Sequence, residues 1–370
     1  MPRSQLPMLL SEARPVELKK FQRALLKWFD ANQRDLPWRK RRTLYRIWVS
    51  EIMLQQTQVA TVIAYYKRFM KQFPSVAKLA AAEESEVLKL WEGLGYYRRA
   101  RQLHSAAKQI VAQHGGRFPK TFDEVLALPG IGRYTAGAVL SIALDQPQPI
   151  LEGNTIRLFA RLLAMRENPK TSASQKTLWA FSESLLPAER AGDFNQALME
   201  LGSEVCTPKS PACPSCPIVN FCPTFAGALQ ETIPASSKKM IYEAINEAVL
   251  LVSRKVGSTQ KYLVRMCQEG ERWSGLWDFP RFAVQGDHPA DALQQELKRF
   301  SGIEAPVEAT DIRLKHAVTK YRITLDVYRC EVNSARLRKN GVEMRWVSAA
   351  EIETLPMSIT GRKIARKTCN

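Results

Sequence analysis

No stretch of the 370 residues approaches the roughly 18–20 consecutive apolar positions needed to span a bilayer. Leu6–Leu10 is too short for the core of a secretory signal, and Pro7 interrupts it. The sequence also lacks internal repeats and low-complexity tracts. Acidic residues are in the minority, 36 against 54 Lys and Arg, for a net charge of +18. The cysteines do not form a disulfide framework either: there are seven, and four fall between 206 and 222. An odd number of cysteines without an export signal argues for reduced thiols and a metal site. The expectation is a soluble chain of the bacterial cytoplasm.

What is present reads as two folded domains, with 45% hydrophobic residues and 9% aromatics. The positive excess is larger before residue 230, where 31 basic residues face 19 acidic ones. Local runs stand at Arg39–Arg42 and at Arg98, Arg99 and Arg101. Such a field favours a polyanion: nucleic acid first, an acidic membrane surface second. Residues 1–16 read as a loose arm. From Pro15 to about Ala226 the periodicity is helical, with Leu18, Phe21, Leu25, Trp28 and Phe29 opening the pattern. Further helices are expected over 46–69, 84–90, 98–113, 122–128 and 133–144 and around Leu158 and Phe194, giving an all-α domain over 1–226. Residues 227–240 read as a polar linker. Beyond it, strands over 244–252, 262–266, 322–330 and 344–347, with a helix over 291–300, indicate an α+β domain over 241–355. Residues 356–370 read as a basic tail.

Three motifs carry chemistry. Cys206-x6-Cys213-x2-Cys216-x5-Cys222 sets four soft ligands in one proline-bent loop. By spacing alone it suits zinc or a [4Fe–4S] cluster. Leu128-Pro129-Gly130-Ile131-Gly132 lies between two helical stretches. Its glycines permit a tight turn that presents backbone N–H groups at a helix N-terminus, an anion site; a plain helical hairpin is the other reading. Trp48-Val49-Ser50-Glu51-Ile52-Met53-Leu54 places one acid in an apolar helix. Burial there would raise its pKa and hold a proton available, whereas an exposed or ion-paired glutamate would have no such role.

These motifs together resemble the endonuclease III/MutY superfamily of helix-hairpin-helix DNA glycosylases, and most closely its MutY branch. The cysteine spacing is similar to that superfamily's cluster loop, so the resemblance implies a [4Fe–4S] cluster on Cys206, Cys213, Cys216 and Cys222. The loop would then order against the DNA backbone, with Lys209 as a phosphate contact. Gly130 and Gly132 match the hairpin that holds a phosphate. Glu51 matches the branch's general acid, and Gln56, followed by Thr57, matches the side chain that wedges into the base stack. Arg34, Leu36, Trp38 and Gln196 match the adenine pocket, and Tyr96 in Gly93-Leu94-Gly95-Tyr96-Tyr97 matches the segment facing the oxidised guanine. Trp38, Tyr96 and Tyr97 also suit plain core packing. Glu152-Gly153-Asn154 stands where the superfamily carries its second carboxylate. The pair suits hydrolysis, one acid protonating the leaving base and the other stabilising a cationic sugar. Tyr134 and Asn154 would position the carboxylates, the sugar or the water. A strand-cutting lyase needs an amine just after the hairpin; endonuclease III-like enzymes have lysine there, and this chain has Tyr134.

The segment Arg272–Pro280 resembles the strand-turn of that branch's Nudix-like domain. The metal-binding Nudix run is lost, since the matching helix reads Leu293-Gln294-Gln295-Glu296-Leu297-Lys298-Arg299. The loop that probes oxidised guanine reads Val318-Thr319-Lys320, keeping a hydroxyl in Thr319 and a donor in Lys320 without the aromatic wedge. The second departure is Glu152 in place of aspartate, one methylene longer. The resemblance therefore implies a monofunctional glycosylase, associated with the nucleoid, that removes adenine opposite 8-oxoguanine or guanine in double-stranded DNA. A different mismatch, such as thymine opposite guanine, or binding without turnover, remain the alternatives. A monomer is expected, with a sliding clamp as the candidate protein partner.

Overall fold

A computed structural model describes residues 15–235, 241–284, 289–318, 320–333, 336–338 and 341–369. The described residues divide into two compact units, one within 1–82 and 101–238, the other within 83–100 and 239–370. Among them no helix is long and apolar enough to cross a membrane.

The first unit is helical. It contains α1 (Pro15–Asn32), α2 (Leu44–Leu54), α3 (Val59–Gln72) and α4 (Val76–Ala80). The second unit takes α5 (Glu84–Trp91) and the first turn of α6 (Arg98–His114), whose remainder returns to the first. There follow α7 (Phe122–Leu126), α8 (Arg133–Leu144), α9 (Gly153–Leu162), α10 (Ser172–Ser184), α11 (Ala191–Glu204) and α12 (Pro223–Ala226). Helix α8 is buried from Thr135 to Ile142 and α11 over most of its length, so these two form the centre. Amphipathic α1 lays Phe21, Leu25 and Phe29 into a core shared with Leu158, Phe159 and Leu162 of α9 and Phe194, Leu198 and Leu201 of α11. The Phe21 and Phe194 rings meet edge to face at 6.3 Å.

Two expectations need correction here. The helix read over 46–69 is two helices, broken after Leu54 where Gln55-Gln56-Thr57-Gln58 has no apolar residue to bury; Gln56 turns at φ +54° and the Thr57 N–H donates to the Leu54 carbonyl. The arm expected over 1–16 lies outside the described residues up to 14, and Pro15 and Val16 already belong to α1.

The second unit is built on one mixed sheet: β1 (Glu243–Val256), β2 (Thr259–Met266), β3 (Trp277–Asp278), β4 (Arg281–Ala283), β5 (Glu308–Val318), β6 (Tyr321–Glu331) and β7 (Met344–Ser348). The order is β3-β2-β1-β6-β5, with β4 added to β1 and β7 to β2. Only β1 and β6 run parallel among these pairs, with Leu250 opposite Tyr328. Strand β1 is buried on both faces. Ala248, Leu250 and Val252 pack with Leu293 and Leu297 of α13 (Pro289–Ser301); Val249 and Leu251 pack on the other face with Ile352 of α14 (Ala349–Thr354) and Ile364 of α15 (Ile359–Thr368). That explains its nearly continuous apolar run.

The supposed basic tail is therefore α15, capped by Ser358 and buried at Ile364 and Ala365. Its Arg362 turns inward and pairs with Glu92 at 2.7 Å. Of the expected linker, Gln230 and Ile233 are fastened to the first unit, their carbonyls accepting from buried Arg161; residues 236–240 lie outside the described residues. Residues 83–100, read with the helical domain, cluster with the sheet.

Candidate active site

A cavity of about 420 Å³ in the first unit opens where the ends of α2, α8 and α9 converge beside α11. Glu51 lies in the last turn of α2 and is 5% exposed. Tyr134, second residue of α8, donates to Glu51 Oε2 at 2.6 Å and also lies 3.3 Å from Met199 Sδ. Burial pushes Glu51 up from 4.5 to about 7; the Tyr134 hydrogen bond opposes this, the charge of Glu152 adds to it, and Arg39 opposes it. This carboxyl keeps a proton near neutral pH.

Glu152 is the N-cap of α9. Its Oε2 accepts from the Asn154 N–H and its Oε1 from the Thr155 N–H, each at 2.9 Å. Burial raises its pKa, and those two N–H groups oppose the rise. Helix-terminal donors favour a fixed anion at this wall of the cavity. Asn154 Oδ1 in turn accepts from Arg157, whose guanidinium also donates to the carbonyls of Gly202 and Cys206.

Arg34, Leu36, Trp38, Gln56, Thr57 and Gln196 all line the same cavity. Trp38 serves packing as well, edge to face on Tyr66 at 5.3 Å. Arg34 forks onto Glu200, with Nε–Oε1 at 2.8 Å and Nη2–Oε2 at 2.9 Å. Arg39 reaches the same carboxylate at 2.9 Å and donates to Gln196 Oε1 at 3.1 Å. Burial alone would raise Glu200, but the two arginines override it and hold its carboxyl at about 2. Arg39, Met199, Glu200 and Ser203 were missed by the sequence reading. The signal was in α11: Gln196, Met199, Glu200 and Ser203 fall at i, i+3, i+4 and i+7, one helix face.

The basic runs are not the bare surface their sequence suggests. Arg39 points inward to Glu200 and Arg42 pairs with Asp193. Arg99, 8% exposed, donates to the carbonyls of Leu94 and Gly95. The hairpin between α7 and α8 turns at Gly130, where φ is +76° and an added Cβ would lie 2.7 Å from Gln102 Cβ. Gly132 is extended instead, as the N-cap of α8. Tyr96 is 52% exposed at φ +48°. Seven described non-glycine residues lie in the left-handed region, and Gln56 and Tyr96, at the segments expected to meet bases, are two of them. In the second unit Lys320 pairs with Glu243 at 2.8 Å, both exposed, so its amine is not bare; Thr319 lies outside the described residues.

Cys206, Cys213, Cys216 and Cys222 line one small cavity, and none is in a disulfide. Among the described residues no three His, Cys, Asp or Glu stand in ligand geometry for a metal ion. The donor set nonetheless fits an iron–sulfur group: four free thiols face one space, with buried Arg161 lying 3.2 Å from Cys206 Sγ. Burial pushes the Cys216 thiol up to about 12, so a thiolate there requires a cation to hold it.

Residues 49–184 match the HhH-GPD superfamily of base excision DNA repair proteins, and 249–367 match the NUDIX domain. The chain is 35% identical over 401 residues to the adenine DNA glycosylase of Rattus norvegicus, covering 94% of this chain and 77% of that protein. It is 36% identical over 263 residues to that of Buchnera aphidicola (strain Sg), covering 71% and 75%. Among solved structures, a thermostable thymine-DNA glycosylase aligns with TM-score 0.53 and 29% identity, over 57% of this chain and 97% of that one.

Proposed function

Because the chain belongs to the adenine DNA glycosylase family, we propose that it hydrolyses the N-glycosidic bond of adenine mispaired with 8-oxoguanine or guanine in double-stranded DNA, as a step of base excision repair. One observation carries this reading above the rest: a buried carboxyl at Glu51, its pKa raised to about 7, and a helix-capping carboxyl at Glu152 line one cavity of about 420 Å³.

Glu51 gives its proton to the leaving base, so the C–N bond breaks with its electron pair on a neutral adenine. Tyr134 steadies the carboxylate that forms. Glu152 faces the positive charge left on the sugar until water attacks. Its extra methylene is taken up in the cap, both oxygens being tied to backbone N–H groups. Gln196, Arg39 and the Arg34–Glu200 fork give the base donors and acceptors to read, while Leu36 and Trp38 supply apolar walls. Gln56 and Thr57 stand at the rim, where a flipped base leaves its stack. Gly130, Gly132 and the first N–H groups of α8 take a DNA phosphate. Without an amine at Tyr134 no Schiff base forms, and the product is an intact strand with an abasic site.

Cys206, Cys213, Cys216 and Cys222 would hold the [4Fe–4S] cluster that the family generally carries. When bound it supplies a four-point tie that fixes the 206–222 loop, and with it Lys209, for a phosphate contact. Preference for the oxidised guanine belongs in this reading to the Nudix-like unit, through Lys320 and Thr319, and to Tyr96.

Single-turnover release of adenine from duplexes with 8-oxoguanine or guanine opposite tests the proposal. Release opposite both, faster at the lesion, is expected. Tight binding without release, or release of thymine opposite guanine instead, would overturn it.

A further inference from the structure

The Tyr134 hydroxyl has one hydrogen and two acceptors in reach, Glu51 Oε2 at 2.6 Å and Met199 Sδ at 3.3 Å. One hydrogen cannot serve both fully. While Glu51 is ionised the carboxylate is the stronger acceptor and takes it. Once a proton sits on Oε2, that O–H donates to the phenol oxygen, and the phenolic hydrogen needs another acceptor. In a buried site an unmade bond is costly, and the thioether lies within reach.

We propose that Met199 is a positioning residue for the acid: its sulfur accepts the Tyr134 hydrogen while Glu51 is protonated and releases it as Glu51 ionises. This rests on reading Glu51 as the proton donor. No bond is made or broken at sulfur. In the transfer the Glu51 hydrogen turns from the phenol oxygen to the leaving base, its O–H bond breaks as the N–H bond forms, and the phenolic hydrogen swings from sulfur back to Oε2. Tyr134 thus hydrogen-bonds the acid in both states, as acceptor before transfer and as donor after it.

The other groups facing Glu51 cannot substitute. Glu152 at the start of α9 and Arg39 in the turn after Pro37 act on it by charge, in opposite senses. Glu200 on α11 is fully engaged with Arg34 and Arg39. On the α11 face that meets the cavity, Gln196, Glu200 and Ser203 are polar, and Met199 is the member set against the phenol.

Met199→Leu keeps the volume and removes the acceptor. The protonated acid loses a favourable arrangement, so the alkaline limb of adenine release moves to lower pH by about half a unit. Loss at pH 8 should exceed loss at pH 6 by about threefold. In a Tyr134→Phe background the same substitution should move nothing. A uniform loss at all pH values, or an equal shift in both backgrounds, would overturn the assignment. The Glu51 titration itself, followed by carbon-13 NMR of labelled glutamate and identified by its disappearance in Glu51→Gln, must show the same shift. That readout needs no turnover, so it separates failure of this inference from failure of the glycosylase reading. Should Met199→Leu not fold, Met199→Ala is read by the same criteria.

Discussion

At the scale of single residues, Glu51 ties the proposed proton transfer to a cost in stability at alkaline pH. Its folded pKa is raised from 4.5 to about 7, so the folded state binds the proton more tightly than the unfolded chain. The stability this confers is complete below about 4.5 and is lost as pH rises through 7; the shift corresponds to about 3 kcal/mol at most. Glu51→Gln should therefore melt at a higher temperature than the native chain at pH 8, with the gap closing toward pH 5. The same variant should lose excision by about two to four orders of magnitude. An unchanged or lowered melting temperature at pH 8 would mean that the carboxyl is not held in a desolvated site. For Glu152 the expectation is that Glu152→Asp matches or exceeds the native rate, because aspartate is an equally good N-cap and the helix is not put at risk. A large drop in single-turnover rate would show a site rebuilt around the longer side chain.

At the scale of elements, α9 and α11 hold the Glu152 wall of the cavity by close approach. A Cβ at Gly202 would lie 2.8 Å from Asn154 Cβ and 3.1 Å from the Asn154 carbonyl oxygen. Gly202→Ala must push the α9 N-terminus away and with it Glu152. A displacement near 1 Å there costs on the order of a hundredfold in rate, although the new methyl touches no substrate; near-native excision would refute it. The same elements show what sequence could and could not reveal. Glu51, Tyr134 and Glu152, which line one cavity, stand in contiguous runs, so spacing and residue type pointed to them. Arg39 and Arg42 look like solvent-facing charge in their run, and only long-range partners on α11, Glu200 and Asp193, turn them inward. Strand β5 escaped notice because it is an edge strand with no fully buried position, so only Ile312 and Leu314, between charged residues, mark its inner face. Helix α15 was hidden by its lysines and arginines, which flank the few apolar residues it buries.

At the scale of the whole molecule, the +18 net charge outlasts the internal ion pairs and should dominate DNA affinity. Log affinity should fall linearly with log salt, and Lys209→Ala should reduce that slope by about one. A slope unchanged by the substitution would remove the 206–222 loop from the phosphate contacts. Borohydride added during turnover should trap no covalent protein–DNA adduct; a good yield would give the enzyme a lyase step that Tyr134 cannot perform.

The parallel pairing of β1 with β6 also dictates an order of events during synthesis. Leu250 meets Tyr328 across the centre of the sheet, so the middle of the second unit cannot close until the chain is complete to about residue 331. Every residue of the helical unit precedes β1, and its contacts can be made while the sheet is still unmade. Strand β1, apolar on both faces, meanwhile waits without its central neighbour, and the α5 segment made much earlier waits with it. High contact order of this kind slows folding and leaves strand edges open to other chains. Misassembly on expression should therefore arise in the Nudix-like unit, while the catalytic unit is already formed.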